Sequence, residues 1–153
     1  MRRVFIPLIL FCSFLLASPA FAATGKVIKV LPHFLDAKGR HTKSPSLFDR
    51  DAYQAWLRRN PAERSGIRYD VQWKAREATG PLKLRVELRG IAEGNLPRQK
   101  TIEKEVKPSG GMSRWDGVAL KDDDYKSFGE ITAWRVTLWD GEQLLGEQKS
   151  FLW

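Results

Sequence analysis

Ile67-Arg68-Tyr69-Asp70-Val71-Gln72-Trp73-Lys74-Ala75-Arg76, followed after a short break by Leu82-Lys83-Leu84-Arg85-Val86-Glu87-Leu88-Arg89, sets the class of this chain. In both runs apolar and polar residues alternate, the period of a strand with one dry and one wet face. Ile67, Tyr69, Val71, Trp73 and Ala75 share one face, and Arg68, Asp70, Gln72, Lys74 and Arg76 share the other. The second run sets Leu82, Leu84, Val86 and Leu88 against Lys83, Arg85, Glu87 and Arg89. A helix would need a period of 3.6, which neither run has. Between them Ala78-Thr79-Gly80-Pro81 carries turn chemistry.

Outward from these runs the strand signals continue. Gln99 to Lys107 alternates weakly and is dense in charge, as expected of an edge strand guarded against pairing with other chains. Pro108-Ser109-Gly110-Gly111 breaks the chain, Arg114 to Leu120 forms a further short strand, and Lys121-Asp122-Asp123-Asp124 reads as a turn. Ile131 to Trp139 is a strong strand, with Trp134, Val136 and Leu138 on one face and Ala133, Arg135, Thr137 and Trp139 on the other. Asp140-Gly141 is a hairpin signal, and the return strand runs through Leu144 and Leu145 toward Phe151-Leu152-Trp153. Upstream, Lys26 to Leu31 is rich in β-branched residues and makes the first strand. Pro32 ends its regular pairing or marks an edge position. Ser46-Leu47-Phe48-Asp49 is similar to a capping box, and helical spacing then holds to Arg59, with acids near the start and Arg58 and Arg59 near the end. Asn60-Pro61 stops this helix, the one helix the pattern predicts. About seven short strands, with one helix near 47–59 after the first, predict a mainly β fold. A two-layer antiparallel sandwich is favoured over a barrel.

Trp134-Arg135-Val136-Thr137-Leu138-Trp139-Asp140-Gly141 resembles the last hairpin of immunoglobulin-like and fibronectin type III-like domains. The resemblance covers about the last 40 residues and implies an immunoglobulin-like sandwich. The chain departs from the antibody-type pattern in lacking paired cysteines, and a helix after the first strand is outside the standard plan. Val30-Leu31-Pro32-His33-Phe34-Leu35-Asp36, Ser44-Pro45-Ser46-Leu47-Phe48 and Asp51-Ala52-Tyr53-Gln54-Ala55 also resemble small uncharacterised exported bacterial proteins. That resemblance implies a compartment and no activity.

The beginning of the chain carries an address. Met1-Arg2-Arg3 is positive, an apolar run follows from Val4 to Ala17, and Ser18-Pro19-Ala20-Phe21-Ala22 closes it with small and helix-breaking residues. These are the parts of a secretory signal peptide, expected over residues 1–22 with cleavage after Ala22 and, as second choice, after Ala20. A membrane anchor would need roughly 20 apolar residues, more than this run offers. Cys12, the one cysteine, lies inside the run behind bulky Phe11 rather than at a lipidation site. Residues 23–153 therefore form a single domain with neither a disulfide nor a thiolate metal site. At this size folding buries roughly two-thirds of the chain's surface, enough for a core without staples. The formal charge of +8 falls by two when Arg2 and Arg3 leave. In the cytoplasm such a balance would suggest nucleic acid. In the periplasm or outside the cell, the anionic neighbours are envelope polymers, lipid head groups and acidic proteins. No nucleic-acid partner is expected, and no membrane span after signal removal.

Catalytic chemistry finds little to stand on. No Gly-x-Ser-x-Gly elbow and no phosphate-binding glycine loop is present. The two histidines, His33 and His41, could join Asp36 in a three-ligand metal site if the loop folds back, but their spacing matches no established motif. Asp122-Asp123-Asp124 lacks the alternate spacing of a calcium loop. Glu87, Glu103, Glu105 and Glu130 fall mostly on wet faces, where nothing raises a carboxylate's pKa for glycoside hydrolysis. Neither a metal nor any other cofactor is expected.

Six tryptophans are the notable surplus. Trp73 and Trp134 fall in phase with aliphatic neighbours and belong to the interior, and Trp56 is placed to dock the helix on a sheet. Trp115, Trp139 and Trp153, with Arg135, are the candidate binding residues, since exposed aromatics can stack on sugars or anchor a protein. The expectation is an exported, non-enzymatic binding or structural module of the bacterial envelope. Its partner would be a protein or an anionic or glycan envelope component. A carbohydrate-binding module is the first alternative, and a small hydrolase or metal-dependent enzyme the second.

Overall fold

In order along the chain the elements are β1 (Thr24–Asp36), α1 (Leu47–Arg59), β2 (Arg64–Arg76), β3 (Leu82–Ala92), β4 (Leu96–Glu105), β5 (Arg114–Lys121), α2 (Asp122–Phe128), β6 (Glu130–Asp140) and β7 (Gln143–Lys149). They are described by a computed structural model over residues 22–153. The signal peptide expected over residues 1–22 lies outside the described residues, except for Ala22. The chain is mainly β, with seven antiparallel strands in two sheets, ordered β1-β2-β5 and β4-β3-β6-β7.

The two alternating runs, β2 and β3, do not pair with each other; each is an inner strand of its own sheet. Alternation reports which face is dry and says nothing about the neighbour in the ladder. The corner between them is held by Asp140, whose carboxylate accepts from the Thr79 and Gly80 amides at 3.0 and 2.6 Å. A side chain at Gly80 would collide with that carboxylate, its Cβ lying 2.5 Å from the Asp140 Oδ1.

The dry faces meet in one core. Val27, Tyr69, Val71 and Trp73 come from the three-stranded sheet, and Leu84, Val86, Leu88, Val136 and Leu138 from the other. Trp73 is fully buried and its indole N–H donates to Asp116 at 2.9 Å, so the polar edge of the ring is satisfied inside the protein. At one side the sheets meet closely: a Cβ on Gly146 of β7 would lie 3.0 Å from backbone atoms of Lys26 and Val27 in β1.

β1 runs unbroken through Pro32, which pairs opposite Tyr69 on an edge strand where the missing N–H is tolerated. β4 is an edge strand of the four-stranded sheet. β7 ends at Lys149, short of the expected continuation, and Phe151 is fully exposed.

The single-helix expectation is corrected by α2, which occupies the segment read as a turn at Lys121–Asp124. Three acids in its first turn face the positive end of the helix dipole. Phe128 at its end is buried in the core, and Tyr125 packs against the same core. Trp56 also departs from expectation: it is 38 % exposed and stacks on Tyr53 instead of docking the helix. Leu57 and Gln54 are the buried residues of α1. The Gln54 amide bridges the N–H and C=O of Phe34 and the C=O of His41, so α1 is fastened to the free edge of β1.

Candidate functional site

β7 pairs with β6 only as far back as Arg135, so the first residues of β6 have no strand beside them on that side. Ser150 finishes the ladder by accepting from the Trp134 amide at 3.0 Å and donating its own amide to the Trp134 carbonyl at 2.9 Å. Beside this end of β6, between the two sheets, lies a cavity of about 1080 Å³. Its apolar wall comes from Phe34 on β1, Ile67 and Tyr69 on β2, and Ile131 and Trp134 on β6, while α2 supplies Tyr125 and Lys126. Ile67 and Tyr69 are buried, whereas Arg58, Lys126 and Glu130 are exposed, so the wall is greasy inside and charged at the mouth.

Tyr69 is the unsatisfied member of this group. Its ring is fully buried, and its hydroxyl finds no hydrogen-bond partner among the described residues. An unpaired buried hydroxyl costs about 1–3 kcal/mol. Burial, with a smaller contribution from Tyr125, pushes its pKa above the ordinary tyrosine range, so the group stays a neutral O–H donor.

The mouth is positive. Arg58, Arg64 and Lys126 line it with Glu130, and none of the four makes an ion pair among the described residues. Arg64 is fixed in place: it donates to the carbonyls of Leu57 (at 2.6 Å) and Arg58, and its guanidinium stands 4.1 Å over the Phe34 ring. Backbone carbonyls hold the group without cancelling its charge, and the aromatic face favours a cation there.

A second cluster gathers both histidines. His33 Nδ1 and Asp70 Oδ2 are 2.8 Å apart, and the His33 and His41 ring centroids are 5.2 Å apart. Ligand atoms of His33, His41 and Asp70 all lie within 4.8 Å of one another, so this trio, and not His33, His41 and Asp36, is the set the fold brings together. Asp36 is withdrawn into its own turn, where its carboxylate accepts from the amides of Lys38 and Arg40, the Arg40 side chain and the Tyr53 hydroxyl. Burial by itself would raise its pKa, but these four donors hold it well below the usual carboxylate range. In the trio, Arg68 is ion-paired with Asp70: its terminal Nη2 donates to Oδ2 at 3.0 Å, while Nε stands 2.9 Å from Oδ1 without hydrogen-bond alignment. The same guanidinium lies 3.2 and 3.4 Å from the two His41 ring nitrogens. A dication would have to enter beside a guanidinium and take its carboxylate away. The cluster is a self-neutralised network, poorly suited to a metal.

The candidate tryptophans are divided between the sheets. Trp139 and Trp153 lie with Arg135 on the four-stranded sheet, where Arg85 stands 4.9 Å from the Trp139 centroid, and Arg89 and Arg135 stand 4.1 and 5.0 Å from that of Trp153. Arg135 is itself held by Glu87 through two bonds of 2.8 and 2.9 Å. Trp115 sits apart, half exposed, on β5 of the other sheet. No single row of free aromatic faces results.

Asp70 and the cavity residues were not singled out from the sequence. Asp70 lay in plain sight: it shares the wet face of β2 with Arg68, and pairing Arg68 opposite His33 brings both to one place. For the cavity the available signal was a tyrosine and a tryptophan in otherwise aliphatic faces, each with a polar atom to satisfy. Neither protein-family models nor curated protein sequences match this chain.

Proposed function

We propose that this protein is an exported, non-enzymatic binding module of the bacterial envelope, built as an immunoglobulin-like sandwich, that holds a small ligand between its two sheets. The observation that carries the reading is the 1080 Å³ cavity between the sheets, walled by Phe34, Ile67, Ile131 and Trp134 and ringed at its mouth by Arg58, Arg64 and Lys126. A pocket of that size, mostly apolar and with a few convergent polar groups, is the usual form of a ligand site. The strand orders 1-2-5 and 4-3-6-7 support the immunoglobulin-like reading, because the chain crosses from one layer to the other after β2, after β4 and after β5, giving a three-plus-four division of seven antiparallel strands. Binding without turnover is supported by how the histidines are engaged. His33 is committed to Asp70 and His41 to Arg68, and neither activates a hydroxyl or thiol. Among the described residues no helix is long and apolar enough to cross a membrane.

The test uses Nile red, a neutral apolar dye whose emission shifts to the blue in a dry site. The purified protein is expected to bind it with energy transfer from tryptophan. An Ile131→Trp variant, which narrows the cavity, is expected to weaken binding at least tenfold, while Trp139→Ala on the outer face leaves it unchanged. Binding that follows Trp139 and ignores Ile131 would sink the cavity reading and favour the carbohydrate-binding alternative.

A further inference from the structure

The proposed cavity reading leaves the chemistry of the ligand open, and the distribution of charge around the cavity narrows it. An apolar wall alone would accept any greasy guest. Here the mouth carries Arg58, Arg64 and Lys126 against the single acid Glu130, and among the described residues none of the three cations makes an ion pair. Surface cations usually sit beside acids or in open water. Arg64 does neither, because it is half-buried and clamped over Phe34 by backbone carbonyls. A fixed, uncompensated guanidinium at the edge of a low-dielectric space is a receptor for an oxyanion. The wall behind it, Phe34, Ile67, Ile131 and Trp134, offers the rest of the guest carbon and aromatic surface, with the Trp134 indole N–H as a polar edge.

We propose that the cavity takes a single-chain anionic amphiphile, its acyl chain between the sheets and its oxyanion head among Arg58, Arg64 and Lys126. This rests on the inter-sheet cavity being the ligand site. A free fatty acid and a one-chain phospholipid share the chemistry, and both are amphiphiles that a bacterial envelope contains. The cavity volume suits a single chain and its head. Each buried methylene contributes about 0.8 kcal/mol, so a chain supplies affinity and the cations supply selectivity.

The protein spanning residues 23–153, the form expected after cleavage behind Ala22, is titrated calorimetrically with dodecanoate, dodecanol and dodecyltrimethylammonium, each below its micelle concentration, and with a lauroyl lysophosphatidylglycerol as the phospholipid arm. At least one of the two anions is expected to bind tenfold or more tighter than dodecanol, with the ammonium weakest, and whichever anion binds tighter identifies the source. Arg58→Met combined with Lys126→Met, both on exposed positions, is expected to erase the preference for the anion while leaving dodecanol affinity within twofold. Arg64→Met is expected to do the same. Should that variant lose its fold, the exposed pair still decides the matter. Tyr69→Phe, which removes a buried unpaired hydroxyl without touching the charged mouth, is expected to raise the melting temperature of the free protein and to leave the head-group preference unchanged. Equal affinity for all head groups overturns the anionic proposal and leaves the cavity reading intact. If no chain of any head group binds, both fall.

Discussion

At His41 two forces oppose protonation. The ring is partly covered, and the Arg68 guanidinium and His33 face it from β2 and β1, with Arg50 acting from α1. Asp70 pulls the other way, but the net effect lowers the His41 pKa below its ordinary 6.5. Below pH 6.5 the unfolded chain therefore binds a proton that the folded chain refuses, so stability falls on acidification from that point. Urea titrations are expected to show a lower midpoint at pH 5.5 than at pH 7.5, and His41→Asn is expected to flatten that difference. A variant with the same slope as the parent would remove His41 from the account. Asp36 and Asp70 add a separate, more acidic loss. Burial disfavours the charge of both, but their hydrogen-bond donors outweigh it and depress both pKa values. Their stabilisation is present above the ordinary carboxylate range and fades as pH drops below about 4. These two acids also mark what one residue's neighbours in sequence can reveal. Asp36 stood close to both histidines along the chain, yet its turn amides claim it. Asp70 stood far from them, and only strand pairing delivers it.

Among elements, the docking of α1 shows how a polar residue can do what hydrophobic spacing was expected to do. The helix buries Leu57, but Phe48 is 82 % exposed and Trp56 is turned outward, so its apolar stripe is not its only attachment. Gln54 is 5 % exposed and satisfies three backbone groups at 2.8–2.9 Å: the amide and carbonyl of Phe34 and the carbonyl of His41. Replacing Gln54 by Leu keeps the volume and strands all three. At about 1–3 kcal/mol for each buried group left unpaired, and less where water enters, a loss of about 2–4 kcal/mol is expected by urea denaturation. Amide exchange at Phe34 is expected to quicken as well. A loss under 1 kcal/mol would mean that Leu57 alone holds the helix. The start and stop of α1 were legible because capping and proline signals are local. α2 was not, since seven residues give fewer than two turns of periodicity and three acids in a row resemble a turn. β2 and β3 were legible as strands from alternation alone, whereas their separation into different sheets depends on corners such as the one Asp140 ties.

Across the whole molecule, the arrangement that makes a cavity at one end also makes a tight seam near the other. β1 and β7 belong to different sheets and close on each other where both carry glycine. A Cβ at Gly25 would lie 2.8 Å from the Leu145 Cβ, and one at Gly146 would lie 3.0 Å from the Lys26 Cα and the Val27 N. The Gln148 side chain adds a bond to the Ile28 carbonyl at 3.1 Å. Farther along, β7 stops, β6 continues with only β3 beside it, and the space between β1 and β6 becomes the cavity. No sequence pattern announces this, because the divergence of two sheets depends on where each strand ends relative to strands distant in the chain. The glycines of β7 and β1 were the only trace, and a glycine inside a strand reads equally as a bulge or a close approach. At Gly146 the obstacle is backbone of the opposite sheet, which cannot step aside as a flexible side chain can. Gly146→Ala must push the sheets apart at their seam, an overpacking expected to cost about 1–3 kcal/mol. Gly146→Val should cost more. Glu147→Ala, next in the chain but exposed and without an ion pair among the described residues, should stay within about 0.5 kcal/mol of the parent. Equilibrium urea unfolding of the three variants separates the possibilities. If Gly146→Ala matches Glu147→Ala, the seam has slack. If it is costly, the close approach of β1 and β7 is what holds the two layers together beside an open cleft.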